Sequence, residues 1–157
     1  MKLTPVAQQW KRLVIEPVLA ELGSKYASLA AVHLLLGTAA VESGFMMLAQ
    51  WPKGSARGYY QIEPATARDI LDRAPDGNTL HSFGSSHATV EEDLIWNLAF
   101  QTVIARMKYW LIPEPLPRAN DIVGLAAYWK EYYQAGGKKG LPLVVFIDVW
   151  EDIVERK

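Results

Sequence analysis

A chain of 157 residues suits one domain, and with half of its residues hydrophobic and six of them Trp it can bury a sizeable core. Sixteen basic and 17 acidic side chains give a formal charge of −1, which argues against a duplex-DNA binder and makes nucleic acid an unexpected partner. The absence of cysteine excludes disulfides and thiolate metal sites.

The N-terminal stretch MKLTPVAQQWKRLVIE has neither an uninterrupted apolar core nor a small-residue cleavage site, so no signal peptide is expected. Residues 4 to 22 place Val6, Trp10, Leu13, Val14, Val18 and Leu22 on one side of a helix, with Pro17 expected to break or kink it. Ser28 is suited to cap a second helix running to Glu42, apolar nearly all round and therefore central, with Gly44 just past its end. The longest apolar run, Leu29 to Val41, contains His33, Gly37 and Thr38. It falls short of the ~20 residues of a membrane span, so none is expected.

QWPKGSARG, residues 50 to 58, reads as loop, with at most a small hairpin near 55 to 62. Pro64 fits the first turn of a short helix, PATARDILDRA, and APDGNTLHSFGSSH reads as loop. Thr89 with Glu92 forms a capping-box signature, predicting one long helix from about Val90 to Leu111, ended by Pro113, Pro115 and Pro117. Another helix is expected from about Asn120 to Gln134. The spacing of Leu143, Phe146, Ile147, Trp150, Ile153 and Val154 predicts a last helix rather than a strand. The expected fold class is all-α, in a single domain spanning residues 1 to 157.

One acid stands out. Glu42 lies at the end of the helix that reads as buried. The partial negative charge of a helix C-terminus and burial both disfavour an anion there, and so favour the raised pKa of a general acid. The usual place of a lone Glu is solvent, and position alone yields only a candidate.

The segments around it add more. AAVESGF and, after a short loop, ARGYYQIEPATA resemble the lysozyme-like lytic transglycosylases, the soluble lytic transglycosylase group. That family has a Glu-Ser pair ending a core helix, a Gly-Leu-Met-Gln type turn and a Pro-x-Thr-Ala helix start. The matching residues are Glu42-Ser43, Gly58-Tyr59-Tyr60-Gln61 and Pro64-Ala65-Thr66-Ala67. LAAYWKEYYQAGG fits the family's Ala-Tyr-Asn-Ala-Gly segment through Ala127-Tyr128, with Trp129 in place of Asn and, in the turn, Tyr60 in place of Met. The resemblance covers about residues 27 to 135, leaving the terminal helices as additions.

The resemblance implies a lysozyme-like helical domain that cleaves the β-1,4 bond between N-acetylmuramic acid and N-acetylglucosamine in peptidoglycan glycan strands. Glu42 would be the sole acid and base, leaving 1,6-anhydro ends. Ser43 would fix the local geometry, Gln61 would contact sugar and Tyr128 would hydrogen-bond Glu42. Gly58, Tyr60 and Trp129 complete the expected substrate-binding set, the two bulky residues narrowing the groove or stacking on sugar. No Asp or Glu lies between Glu42 and Gln61. Most glycosidases use two carboxylates, so this spacing favours the single-acid reaction, although Glu63, Glu91 or Asp93 can fold nearby.

Other features are weighed beside these. The aromatic cluster Tyr128, Trp129, Tyr132 and Tyr133 reads first as core, and as a sugar-stacking wall second. Lys53 and Arg57 make the 50 to 57 loop basic, suited to peptide carboxylates of the cell wall or simply solvated. His33 reads as a packed core histidine. His81 and His87 match no zinc pattern, so neither metal nor other cofactor is expected.

Two other functions stay open: a non-cutting virion, tail or secretion-apparatus component of the same fold, and a hydrolytic muramidase or chitinase- or chitosanase-type glycosidase. A protein made in the cytoplasm without a signal peptide and acting at the cell wall or periplasm needs phage-type or specialised delivery, and a phage or prophage source is the expected one.

Overall fold

A computed structural model describes residues 4–46, 48–133 and 144–148. Among these residues the fold is all-α, with no sheet. The chain begins with α1 (Thr4–Trp10), a π-helical turn (Lys11–Ile15) and α2 (Glu16–Leu22). Of the break or kink expected at Pro17, no break is seen: the path stays helical throughout, with the α ladder interrupted by the π turn just before it. The wide turn just before Pro17 is the reason, because its backbone bonds span five residues, as in Glu16 N–H to Lys11 O, and loosen the ladder where a proline would clash.

A short 3-10 turn, Ser24–Tyr26, leads to α3 (Leu29–Ser43). Ser28 caps it, its hydroxyl accepting the Ala31 N–H at 3.1 Å, and Gly44 ends it in the left-handed conformation at φ +58°. Twelve of the fifteen residues of α3 are buried, which puts the helix at the centre of the core, packed by α1, the π turn, α7 (Leu98–Trp110) and α8 (Ile122–Tyr132). Gly37 has a packing role there. A Cβ on it would lie 2.3 Å from the ring of Phe146, in helical residues 144–148. Those five residues agree with the expected last helix; the remainder of it, and Gln134, lie outside the described residues.

The region after α3 holds α4 (Pro64–Arg73), α5 (Gly77–Ser82) and α6 (Val90–Trp96). The hairpin near 55 to 62 reduces to two isolated bridges, Ala49 with Arg57 and Arg57 with Ile62. α5 falls in a stretch expected to be loop, anchored by the fully buried Leu80.

The predicted long helix from Val90 to Leu111 is in fact two, separated at Asn97 (φ −91°, ψ 95°). The Asn97 side chain offers the backbone an alternative to helix. Its Oδ1 accepts the Phe100 N–H at 2.9 Å, capping α7, while its Nδ2 donates to Phe83 O at 2.8 Å and to buried Asp93 at 3.2 Å. Thr89 does cap α6, accepting the Glu92 N–H at 3.2 Å. α8 is capped by Asp121, which accepts the Gly124 N–H at 2.9 Å. No helix among the described residues is long and apolar enough to cross a membrane.

Candidate functional site

The last turn of α3 presents Glu42 and Ser43, and both are buried. The Ser43 hydroxyl donates to Tyr59 O at 2.7 Å, with Ala39 O at 3.1 Å, and accepts the Phe45 N–H at 3.2 Å. One small side chain thus closes the helix and pins the turn of residues 58–61 against it.

That turn is held from three directions. α3 holds Tyr59 O through Ser43, and α7 holds the Tyr59 N–H through Gln101 Oε1 at 2.8 Å. Tyr133, just past α8, donates its hydroxyl to Tyr60 O at 2.6 Å. Gly58 is required here. Its φ is +76°, and a Cβ would lie 2.1 Å from Leu94 O and 2.8 Å from Gln101 Oε1. The Leu94 carbonyl comes from the end of α6, so the break at Asn97 shapes the site. Gln61 is left-handed too, at φ +49°, and its side-chain amide donates back to Gly58 O at 2.8 Å. A non-glycine residue in that region is uncommon and is held by its surroundings.

Glu42 is 6 % exposed and Trp129 is fully buried; the indole Nε1–H donates to Glu42 Oε1 at 3.2 Å. The indole is a donor only, so it can serve the ionised carboxylate or the carbonyl oxygen of the protonated acid. Thr38, one turn earlier on α3, accepts from the Tyr109 hydroxyl at 2.7 Å, since its own proton goes to Leu34 O. Burial raises the Tyr109 and Tyr133 phenols well above their usual range, with Glu42 adding to the rise in both.

Among the described residues Lys108 is a cation near the acid. Its ammonium donates to Tyr133 O at 2.9 Å and lies 3.8 Å from the Tyr133 ring centroid. Burial lowers its pKa, while Glu42 and Glu63 oppose that and so share its field.

Several expected roles change. Tyr128 does not donate to Glu42; its hydroxyl goes to Glu114 O at 2.8 Å, and Trp129, the neighbour on α8, takes the acid instead. One residue along a helix turns the side chain by about 100°, enough to exchange the two roles. Tyr60 is fully buried and cannot stack on sugar. Its hydroxyl accepts from Trp10 Nε1 at 3.0 Å and bonds Thr102 at 3.1 Å, and burial lifts its pKa to about 12. Trp129 is equally unable to form a stacking surface. Three of the four stripe residues, Tyr128, Trp129 and Tyr133, are core and Tyr132 is half-buried against them; Tyr109 packs on Tyr128 and Tyr133 at centroid distances of 5.9 and 5.1 Å.

The other acids have local partners. Glu63 accepts from Ser55, Glu91 pairs with Arg68, and Asp93 accepts the Ser85 N–H at 3.0 Å. Arg57 turns back onto its own loop through Gly54 O and Ala56 O, both at 2.9 Å. His33 is the packed histidine expected, donating from Nδ1 to Ala119 O at 2.7 Å. Among the described residues no cluster of His, Asp or Glu is arranged to hold a metal.

Gln101 and Lys108 join the site without having been singled out for it by the sequence, and Tyr133, weighed there as core or sugar-stacking wall, joins it as a donor to the turn. For Gln101 and Lys108 the available signal was a polar residue inside the apolar run LAFQTVIARMKYW.

No protein-family model, no curated protein and no solved structure matches the chain.

Proposed function

We propose that the protein is a peptidoglycan lytic transglycosylase with Glu42 as its acid and base. The observation that supports it best is the joining of the resemblance's separate segments in one place. The Glu42-Ser43 helix end is bonded directly to the 58–61 turn, and α8 supplies the donor to the acid.

In this reading the Glu42 carboxyl protonates the glycosidic oxygen as the bond to the muramic anomeric carbon breaks. The resulting carboxylate then takes the proton of the muramic 6-hydroxyl while that oxygen attacks the anomeric carbon. The product is a 1,6-anhydro ring, no water is consumed and Glu42 ends protonated, ready for another turn. Gln61 stands on the neighbouring turn as the sugar contact. The substrate would be met at the cell wall or periplasm, by phage-type or specialised delivery.

The test is digestion of purified sacculi by the wild type and by Glu42→Gln, with the released muropeptides weighed. Anhydro products, one water lighter than hydrolysed ones, are expected from the wild type, with at least a hundredfold less from the variant. Hydrolysed products would turn the reading to a muramidase using a second carboxylate, with Glu63 first in line through the field it shares with Glu42 at Lys108.

A second reading is a non-cutting wall-binding or assembly component. The low exposure of Glu42 and its bond to a fully buried indole favour it, since both suit a structural acid. Loss of biological function in a folded Glu42→Gln protein would sink it.

A further inference from the structure

Arg106 is a charged group for which the proposed reaction has no use. It lies on α7 and is 3 % exposed. Its Nε–H donates to Tyr26 O at 2.8 Å, and its guanidinium carbon lies 5.2 Å from the Trp110 ring centroid. Both partners are uncharged. Among the described residues no carboxylate forms an ion pair with it. Asp76, which accepts from the Tyr26 hydroxyl, is paired with Lys25 at 3.2 Å. Burial lowers the pKa of Arg106 to about 10, leaving it a cation at neutral pH. A buried cation without a counter-charge is costly, and such groups are ordinarily paired.

The guanidinium lines a cavity of about 180 Å³. Tyr109, Trp110, Ile112, Pro113, Leu116 and Tyr128 give it aromatic and aliphatic wall, beside polar atoms of the lining. The one acid on the lining, Glu114, is an exposed residue whose backbone oxygen receives the Tyr128 hydroxyl. A small chamber with aromatic and aliphatic wall on one part and one guanidinium fork has the composition of an organic-acid site. Its volume is below that of drug-sized pockets, so the guest is a single ring or short branched chain. One cation beside a rim acid suits one negative charge and not the two of a phosphate. Tyr26, to which Arg106 is bonded, precedes α3, and Glu42 lies near that helix's far end. A helix of fifteen residues spans about 20 Å, so the Arg106 end of the chamber lies well away from Glu42, while its Tyr109 wall reaches toward that site through Thr38.

We propose that the chamber beside Arg106 binds a small apolar monocarboxylate, its carboxylate on the guanidinium and its hydrocarbon part against Tyr109, Tyr128 and Leu116. The inference does not depend on any activity of Glu42.

The test is calorimetric titration of the full chain with benzoate, benzamide and inorganic phosphate. Saturable benzoate binding is expected, at least tenfold tighter than either of the others. Arg106→Lys keeps the charge but loses the fork, and is expected to weaken benzoate at least tenfold. Leu116→Trp fills the chamber and is expected to abolish binding while the circular dichroism spectrum is unchanged. Absence of saturable benzoate binding overturns the proposal. So does benzamide or phosphate binding as tightly, or a Leu116→Trp protein that binds like the wild type. Should Arg106→Lys fail to unfold cooperatively, the benzoate–benzamide pair and Leu116→Trp decide the matter.

Discussion

The indole of Trp129 replaces an amide in the resemblance and still reaches the acid, at 3.2 Å. A donor to a carboxylate stabilises its ionised form. Trp129→Phe keeps an aromatic ring and removes the donor, so it is expected to cost about 1–2 kcal/mol of stability, measured by urea unfolding. If Glu42 is the catalytic acid, the same change moves its limb of the pH–rate profile upward, an effect that packing alone does not produce.

His33 offers a second test at this scale. Burial lowers its pKa below 6.5; Lys11 pushes the same way, and the Ala119 carbonyl and Glu16 push back. The unfolded chain therefore takes up this proton first as pH falls. Stability is complete above about pH 6.5 and declines as pH drops through the lower folded value. The urea midpoint is expected to fall between pH 7.5 and pH 5.5, and to fall less in His33→Gln. An equal fall in both proteins would remove His33 as the cause.

At the scale of elements, α3 and residues 144–148 are fitted to each other through a missing methyl group. Gly37→Ala gains up to about 1 kcal/mol of helix propensity but forces a Cβ into the Phe146 ring, where overpacking costs about 1–3 kcal/mol. A net loss of about 1 kcal/mol is expected. Phe146→Ala alone should cost about 3–5 kcal/mol. The double variant should be more stable than the sum of the two losses implies, because the ring that the added methyl would meet is gone. Thermal unfolding of the four proteins measures the coupling, and strict additivity would contradict the fit.

Over the whole molecule, what the sequence disclosed was what local chemistry governs. Ser28, Gly44, Pro64 and Thr89 mark helix ends because each satisfies or omits a backbone group, and all four stand where expected. The break at Asn97 is hidden because the apolar pattern continues across it, and its side-chain bonds reach a residue as distant as Phe83. The resemblance led to Glu42, Ser43 and the 58–61 turn, and these do meet. The directions of side chains were not legible. Tyr60 points into the core because the two left-handed residues flanking the Tyr pair set the turn's orientation, and Gly58 is left-handed to accommodate a carbonyl from α6. Tyr128 and Trp129 exchange roles because helix phase, rather than residue type, decides which one faces the acid.

The turn at residues 58–61 is loop by every local criterion, yet the Tyr59 and Tyr60 backbone groups are tied to α3, to α7 and to Tyr133 just past α8. Loops normally lose their amide protons to solvent within a short time, by opening on their own. This one has no independent way to open. The Tyr59 amide is bonded to a side chain fully buried on α7, and the carbonyls on either side of the next peptide bond belong to α3 and to Tyr133. Hydrogen exchange at Tyr59 is therefore expected to be as slow as at the middle of α3, reporting the opening of the whole protein. Rapid exchange there would mean that the turn moves by itself. A slow clock at Tyr59 would mean that the site and the fold are lost in one event, so that any protein still folded carries its site fully assembled.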